Sequence, residues 1–172
     1  MPIRAVAFDF GHTIIDERLD IMRLSAHDEH HLMPGARHAL SALPVPVAIW
    51  ANTRVARDRD VRAWFERADL ARHVRWYVTS EDAGARKPAP AFFDFALRTM
   101  GVAAGDVLFV GNQLNTDIAG GEAYGIRTVY LSDAGYRSVD DAGGGGGVPS
   151  FTIQTLVELP ALIGQLAFRT SR

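Results

Sequence analysis

The chain has 172 residues, of which 48% are apolar, so its length and composition suit one domain with a hydrophobic core. Its formal net charge of −2 gives no electrostatic basis for binding nucleic acid or an anionic membrane. It has no cysteine, which excludes disulfides and thiolate chemistry and suits a reducing compartment. Without a run of about 18 apolar residues or the apolar core of a signal peptide, it is expected to be a single soluble, cytoplasmic domain over residues 1–172.

Hydrophobic patterning predicts that buried strands and amphipathic helices alternate along the chain. Strands are predicted at residues 4–10, 45–51, 74–78, 107–110 and 127–131, with a short edge strand at 151–153. Helices are predicted from residue 36 to 43, and over 61–70, 90–100, 117–124 and 156–168. This alternation is typical of a three-layer α/β domain with a mainly parallel, Rossmann-like sheet.

Two segments lack a regular pattern. Residues 14–33 are polar and mixed, and they are too short for a separate domain, so we expect a short flap. The flap contains His27, Asp28, Glu29, His30 and His31, which a solvated surface explains better than a metal site does. Residues 139–150 include five consecutive glycines, which predict a flexible loop.

Polar side chains follow the ends of four predicted strands. They are Asp9 after the first strand, Asn52 and Thr53 after the second, Lys87 beyond the third, and Asn112 with Asp117 after the fourth. Any one of them has an ordinary structural explanation, and Asp9 alone would be equally well explained as a helix cap or turn residue. Because ligands bind outside the carboxyl ends of parallel strands, four such clusters in register predict one shared site.

These clusters belong to stretches that resemble the four motifs of the haloacid dehalogenase-like (HAD) superfamily, in the same order. The stretches are Asp9-Phe10-Gly11-His12-Thr13, Ala51-Asn52, the segment 84–93 (GARKPAPAFF) and the segment 110–117 (VGNQLNTD). The resemblance covers nearly the whole chain, and its third and fourth motifs are the most specific. It implies a HAD-like fold.

The resemblance also assigns roles to particular residues. It implies that Asp9 is the nucleophile and forms an aspartyl-phosphate, and that Lys87 offsets charge between nucleophile and phosphoryl group. It implies Mg²⁺ as cofactor, with ligands at the positions of Asp9, the Gly11 carbonyl, Asn112 and Asp117. The substrate-binding positions that it implies are Gly11, His12, Ala51, Asn52 and Lys87.

Three positions depart from the family pattern. Gly11 stands where the family has its general acid/base aspartate, a function worth ~10²–10⁴-fold in rate. Ala51 replaces a serine or threonine that binds the phosphoryl group, and Asn112 replaces an acid that binds the metal. An amide oxygen can bind Mg²⁺ but brings no charge. His12 is a candidate substitute proton donor, although it is equally compatible with facing solvent.

Two principal functions follow from this balance of retained and missing groups. One is a weak or specialised Mg²⁺-dependent phosphomonoesterase acting through Asp9. The other is a catalytically degenerate domain that binds a phosphate compound or a partner. Metal-free dehalogenation is a third alternative, disfavoured because the family's dehalogenases enclose their substrate under a cap inserted after the first motif, where residues 14–33 are too short for one.

The short flap has further implications. Without a substantial cap the site is expected to be open, which in the family accompanies large phosphorylated substrates or closure by oligomerisation, so a homodimer is compatible with the sequence. Neither nucleic acid nor a membrane is expected as a partner. Arg54 closely follows the second motif and is a candidate contact for substrate phosphate.

Overall fold

A computed structural model describes residues 2–16, 31–132 and 146–169 of the chain. Six strands form one sheet in the order β3-β2-β1-β4-β5-β6, and every neighbouring pair is parallel. The strands are β1 (Ala5–Phe8), β2 (Val47–Ala51), β3 (Trp76–Thr79), β4 (Val107–Gly111), β5 (Arg127–Leu131) and β6 (Phe151–Ile153). The helices are α1 (Ala36–Ala42), α2 (Asp58–Arg67), α3 (Ser80–Ala83), α4 (Pro90–Met100), α5 (Ala119–Ala123) and α6 (Leu159–Arg169).

Two hydrophobic clusters cover the two faces of the sheet. Along β1, Val6 and Phe8 belong to one cluster, whereas Ala5 and Ala7 belong to the other, as the alternation of side chains along a strand requires. The first cluster contains buried residues of α1, α2 and α6, and the second contains those of α4. The predicted three-layer α/β architecture is therefore confirmed.

The centre of the sheet is β1, which lies between β2 and β4. The chain builds outward to β3 on one side and then crosses to β4 on the other, so the strand order reverses beside β1. Pairing continues one residue beyond the strand, because the Asp9 N–H donates to the Val110 carbonyl at 2.8 Å. Asp9 is thus placed at the crevice where open α/β sheets bind their ligands.

The predicted elements exist, but some of their boundaries are different. The strand predicted at 45–51 begins at Val47, after Pro46, and the one predicted at 74–78 runs from Trp76 to Thr79. The next four residues form α3, a helix that the sequence pattern did not predict. Thr79 caps it, because its Oγ1 accepts from the Asp82 N–H at 3.2 Å.

The helix predicted at 117–124 also has a different form. Leu114–Ile118 is a π-helical turn, and α5 follows it at Ala119. The Gln113 carbonyl accepts from the N–H of Asp117 at 3.0 Å and from that of Ile118 at 3.2 Å, so the turn is wider than an α-helical one. Such turns are frequent at functional sites, and this one carries Asp117.

Both irregular segments extend beyond the described residues. Residues 17–30 of the predicted flap lie outside them, including His27, Asp28, Glu29 and His30. The two ends of the flap are paired at its base, where the Asp16 N–H donates to the His31 carbonyl at 2.8 Å and the Met33 N–H to the Ile14 carbonyl at 2.9 Å. Residues 133–145 also lie outside, and they include residues 139–145 of the predicted glycine loop.

The last glycine of the run of five lies against the domain. The Gly147 N–H donates to the Leu114 carbonyl at 3.1 Å. A Cβ at Gly147 would lie 2.5 Å from the backbone of Ala119, so this close approach requires glycine. Among the described residues, no helix has the length and apolar content needed to cross a membrane.

Glu122 on α5 joins three parts of the fold. One of its carboxylate oxygens, Oε1, accepts from both the N–H and the hydroxyl of Thr128 on β5, at 3.1 and 2.7 Å. It also accepts from the N–H and the hydroxyl of Ser150, at 3.0 and 2.6 Å. Partial burial raises the pKa of Glu122, but the hydrogen bonds from Ser150 and Thr128 outweigh burial and hold that pKa below its usual range.

We predict that Glu122→Gln lowers the free energy of unfolding by about 1–3 kcal/mol at pH 7, since the amide loses charge-assisted hydrogen bonds. Because the pKa of Glu122 is lowered on folding, its stabilisation is present above the unfolded pKa and disappears as the pH falls through the folded one. Urea unfolding at pH 7 and pH 3 should therefore show the difference narrowing in acid. Glu66→Gln, an exposed site on α2, serves as the control, and equal losses in both variants would contradict the assignment.

Candidate active site

A cleft of about 670 Å³ opens at the carboxyl edge of the sheet. Six residues that the sequence predicted for the site line it together: Asp9, Gly11, Ala51, Asn52, Lys87 and Asp117. Asp9 follows β1, Asn52 follows β2, Lys87 lies between α3 and α4, and Asp117 lies on the π-helical turn after β4. The predicted convergence of these strand ends is therefore present in the structure.

The buried inner end of the cleft is an ion cluster around Lys87. Its Nζ lies 2.6 Å from Asp9 Oδ1 and 2.8 Å from Asp117 Oδ1, and it also donates to the Trp50 carbonyl at 2.8 Å. These contacts use all three donors of the ammonium group. The side chains of Lys87 and Asp117 are each 1% exposed, whereas that of Asp9 is 10% exposed. Asp9 is therefore the more exposed acid of the cluster.

One cation serves two carboxylates in this cluster, and the pKa shifts reflect that imbalance. Burial by itself would lower the pKa of Lys87, but the charges of Asp117 and Asp9 outweigh burial and raise that pKa, so Lys87 stays protonated. Burial raises the pKa of Asp117, an effect that Lys87 opposes and the nearby Asp9 carboxylate reinforces. The cluster thus holds a fixed cation beside Asp9.

Asn52 holds the loop that carries Lys87. Its Nδ2 donates to the Lys87 carbonyl at 3.0 Å, and its Oδ1 accepts from the Lys87 N–H at 2.9 Å. An amide is suited to this pair of contacts because it offers a donor and an acceptor side by side. The Asn52 side chain, which the resemblance assigned to substrate binding, is thus occupied in positioning the backbone of Lys87.

Asp117 is held by the turn on which it lies. Its Oδ2 accepts from the Gln113 N–H at 3.1 Å, while its own N–H donates to the Gln113 carbonyl at 3.0 Å. A Cβ at Gly111 would lie 2.5 Å from the Asp117 side chain. Glycine at the end of β4 therefore leaves the space in which Asp117 reaches Lys87.

Asn112 lies behind Asp9 and is not among the residues that line the cleft. The Thr13 hydroxyl lies 3.3 Å from Asp9 Oδ2 and 3.2 Å from Asn112 Oδ1, and its single proton can be donated to one of them at a time. Asn112 Nδ2 is buried and has no hydrogen-bond partner within the described ranges. An acid at this position would carry no such donor, so the orphaned NH₂ marks the departure at Asn112.

The structure also shows contacts of His12, the candidate substitute proton donor, and of Thr53, which follows Asn52. The His12 backbone N–H donates to the Ile15 carbonyl at 2.6 Å, and its ring Nδ1 lies 3.9 Å from Asp16 Oδ1. His12 does not contribute to the cleft lining. The Thr53 hydroxyl donates to the Ala56 carbonyl at 2.6 Å, so it is committed within its own loop and does not replace the hydroxyl missing at Ala51.

The cleft also has lining residues that the sequence reasoning did not assign. Gln113 and Thr116 lie within the fourth motif, and the Thr116 hydroxyl donates to Gln113 Oε1 at 2.9 Å. This contact leaves the NH₂ of Gln113 as a donor group in the lining. Arg86 precedes Lys87 and lines the outer part of the cleft together with Arg54, the residue that the sequence offered as a phosphate contact. Gln113, Thr116 and Arg86 lie within the third and fourth motifs, and this position in the sequence was the signal that could have identified them.

The donor chemistry of the cleft fits Mg²⁺ in part. Asp9, Gly11 and Asp117 bring two carboxylates and a backbone carbonyl to one cleft, and oxygen donors of these kinds are what Mg²⁺ prefers. Asn112 does not reach that lining. In agreement, no group of three or more His, Cys, Asp or Glu side chains suited to a metal is found among residues 2–16, 31–132 and 146–169. The residues present fit a weakly charged magnesium site.

Comparison with known proteins identifies relatives of the chain. The family model described as HAD-hydrolase-like matches residues 84–159. Phosphoglycolate phosphatase from Pseudomonas syringae pv. tomato is 30% identical over 140 residues, which are 75% of this chain and 50% of that protein. Ribulose-1,5-bisphosphate 5-phosphatase from Halopiger xanaduensis is 34% identical over 107 residues, 60% of this chain and 44% of that protein. The chain thus spans about half the length of these relatives.

Solved structures share the fold at lower sequence identity. The magnesium-bound HAD-hydrolase YfnB from Bacillus subtilis superimposes with a TM-score of 0.74 at 16% identity, covering 95% of this chain and 99% of that one. L-2-haloacid dehalogenase from Xanthobacter autotrophicus gives a TM-score of 0.71 at 18% identity, covering 94% and 98%. Phosphatases and dehalogenases therefore appear among the similar proteins.

The fold and the buried Asp–Lys–Asp cluster at its central crevice define an α/β domain with an aspartate facing a cleft at the carboxyl edge of its sheet. Together with the four motifs and these relatives, they identify the family that the sequence resembled. The chain belongs to the HAD superfamily of hydrolases.

We predict that Asn52→Ala lowers the free energy of unfolding by about 1–3 kcal/mol, because two partly buried hydrogen bonds to the Lys87 backbone are lost. Urea unfolding of the variant beside wild type measures this loss. Gln165→Ala, which removes an exposed amide on α6, provides the control. A loss no larger than that of the control would show that Asn52 does not hold the Lys87 loop.

Proposed function

We propose that the chain hydrolyses phosphate monoesters through an aspartyl-phosphate formed on Asp9. The observation that carries this proposal is the Asp9 carboxylate at the inner end of the cleft, with Lys87 Nζ 2.6 Å from its Oδ1. Lys87 offsets the negative charge that would otherwise keep a carboxylate and a phosphoryl group apart. The phosphatase relatives support the same class of reaction.

The reaction has two steps. The Asp9 carboxylate attacks phosphorus, an Asp9 O–P bond forms, and the ester P–O bond breaks to release the alcohol oxygen. Water then hydrolyses the acyl phosphate, which releases inorganic phosphate and restores the carboxylate. The leaving oxygen takes its proton from solvent, because Gly11 carries no acid. We therefore propose that turnover is slow for poor leaving groups.

Mg²⁺ is the proposed cofactor, held by Asp9, the Gly11 carbonyl and Asp117. When bound, it would neutralise charge on the phosphoryl oxygens. The residues of the chain supply the remaining contacts to the phosphoryl group. Lys87 is a fixed cation, and the NH₂ of Gln113 is a hydrogen-bond donor in a lining that has no hydroxyl at Ala51. We further propose that the site has no substantial cap and admits bulky phosphorylated substrates.

One observation favours a second candidate function. Gly11 brings no proton donor, and the buried Asn112 Nδ2 is left without a partner where the family has an acid. A domain that binds phosphorylated ligands without turning them over would retain Lys87 and the cleft but would not need those two groups. The two proposals differ in whether Asp9 reacts.

The first prediction from this proposal concerns Asp9. We expect Mg²⁺-dependent hydrolysis of an aryl phosphate by the wild-type protein, and its loss in Asp9→Asn because the amide is not a nucleophile. Trapping with a phosphate-mimicking fluoride should be lost in the same variant. Asp94→Asn, which alters an acid outside the cleft, should retain both signals.

Two results would contradict the nucleophilic role of Asp9. Equal trapping in Asp9→Asn and wild type would place the reactive group elsewhere. The absence of turnover above that of Asp9→Asn, across pH values and divalent metals, would favour the binding domain instead.

The second prediction concerns the missing acid. We expect Gly11→Asp to raise kcat with an alkyl phosphate at least tenfold, because a general acid would protonate the leaving oxygen. Gly11→Asn is the matched control, since it adds the same volume without a titratable proton. Equal rates for Gly11→Asp and Gly11→Asn would show that the rate is limited elsewhere, at Ala51 or Asn112.

A further inference from the structure

The outer part of the cleft is lined by two guanidinium groups, Arg54 and Arg86. Both residues are exposed, whereas Lys87 and Asp9 at the inner end are buried. The cleft therefore has a buried end, where the ion cluster lies, and an open, cationic mouth. At about 670 Å³ it has the size of sites that hold a whole small molecule, not a phosphoryl group alone.

Among the described residues, no acid forms an ion pair with the positive charge at the mouth. Among the ion pairs of the described residues, neither Arg54 nor Arg86 has a carboxylate within 4.0 Å. Arg57, three residues after Arg54, pairs with Asp82 at 3.3 Å. At the inner end, the charge of Lys87 is already shared by two carboxylates. The two arginines are thus the cations of the cleft that remain available to an incoming anion.

Hydrogen bonds hold the segments that carry the two arginines. Arg86 Nη1 donates to the Thr53 carbonyl and lies 3.5 Å from Ser80 Oγ. Ser80 Oγ in turn accepts from the Thr53 N–H at 2.9 Å and donates to its carbonyl at 3.0 Å. Asn52 ties the same segments together through the Lys87 backbone. Arg86 therefore keeps a defined position relative to Lys87, and the backbone next to Arg54 is held beside it, so binding an anion at Arg86 requires little further ordering.

We infer that Arg54 and Arg86 bind a second anionic group of the same molecule whose phosphoryl group lies at Asp9. The substrate class is a phosphomonoester with a second carboxylate or phosphate. A guanidinium suits either group, because its parallel N–H donors match two oxygens of one anion. This inference rests on the proposed function for the position of the phosphoryl group. It adds what determines specificity at the other end of the cleft.

Non-hydrolysable phosphonates test the inference independently of turnover. The first pair is phosphonoacetate and ethylphosphonate, which have the same number of carbons and differ in whether the last carbon is a carboxylate or a methyl group. The second pair, 3-phosphonopropionate and propylphosphonate, differs in the same way. Calorimetric titration of the wild-type protein should show about tenfold tighter binding of the carboxylated member of at least one pair, as expected for a charge-assisted hydrogen bond on an exposed surface. The preference should shrink as salt is raised.

Variants assign the preference to the two arginines. Arg54→Gln and Arg86→Gln should each remove most of the preference for the carboxylated phosphonate. Their affinity for ethylphosphonate and propylphosphonate should stay within about twofold of wild type. The double variant should remove the preference completely. Arg59→Gln is the matched control, because Arg59 is an exposed arginine on α2 that does not line the cleft, and it should keep the full preference. Methylenebisphosphonate, in place of the carboxylates, shows whether the mouth selects a second phosphate.

Several outcomes would overturn the inference. They are equal binding of charged and neutral-ended phosphonates by wild type, no binding of any probe, and a preference that survives in the double variant. An equal loss of affinity for both members of a pair would place the arginines on the phosphoryl group itself. The aryl phosphate assay separates the two proposals. Turnover of the aryl phosphate without a preference for carboxylated phosphonates would support the proposed hydrolase and contradict this inference. A preference without turnover would support this inference and contradict the proposed hydrolase.

Discussion

The ion cluster of Lys87, Asp9 and Asp117 is the constraint on which the other features of the site depend. Three segments that are distant in sequence meet there, and the Trp50 carbonyl fixes the third donor of the ammonium group. Removing one member of a buried ion pair typically costs about 3–5 kcal/mol, because the remaining charge is left uncompensated. The reactive groups are therefore also part of what holds the strand ends together, and stability and chemistry are not independent at this position.

The supporting contacts are arranged around that cluster. Asn52 fixes the backbone of Lys87, and the π-helical turn aims Asp117 at its ammonium group from the other side. Neither contact involves a ligand directly. The geometry of the inner cleft is thus set before any substrate arrives, which is how a site stabilises developing charge without reorganising during the reaction.

The sequence predicted the architecture well because a continuous apolar run indicates a strand buried on both faces. Val6 and Phe8 face one layer and Ala5 and Ala7 the other, and this is the pattern of a strand buried on both faces. The convergence of Asp9, Lys87 and Asp117 followed from parallel strand order. The direction in which each side chain points could not be predicted in this way. Asn112 does not line the cleft, and Asn52 forms hydrogen bonds with the Lys87 backbone. Both features depend on local hydrogen bonds that residue spacing does not encode.

The paired base of the flap has a consequence for the history of such domains. Asp16 and His31 are joined by a backbone hydrogen bond, as are Ile14 and Met33, so the two residues that flank the segment 17–30 are held next to each other. Closing a longer flexible loop between the same two points costs only about 0.6 kcal/mol for each doubling of its length. A longer insert between these two residues therefore adds little to the entropy cost of folding the sheet and the ion cluster. Substrate selection can evolve at this junction without altering the chemistry beneath it.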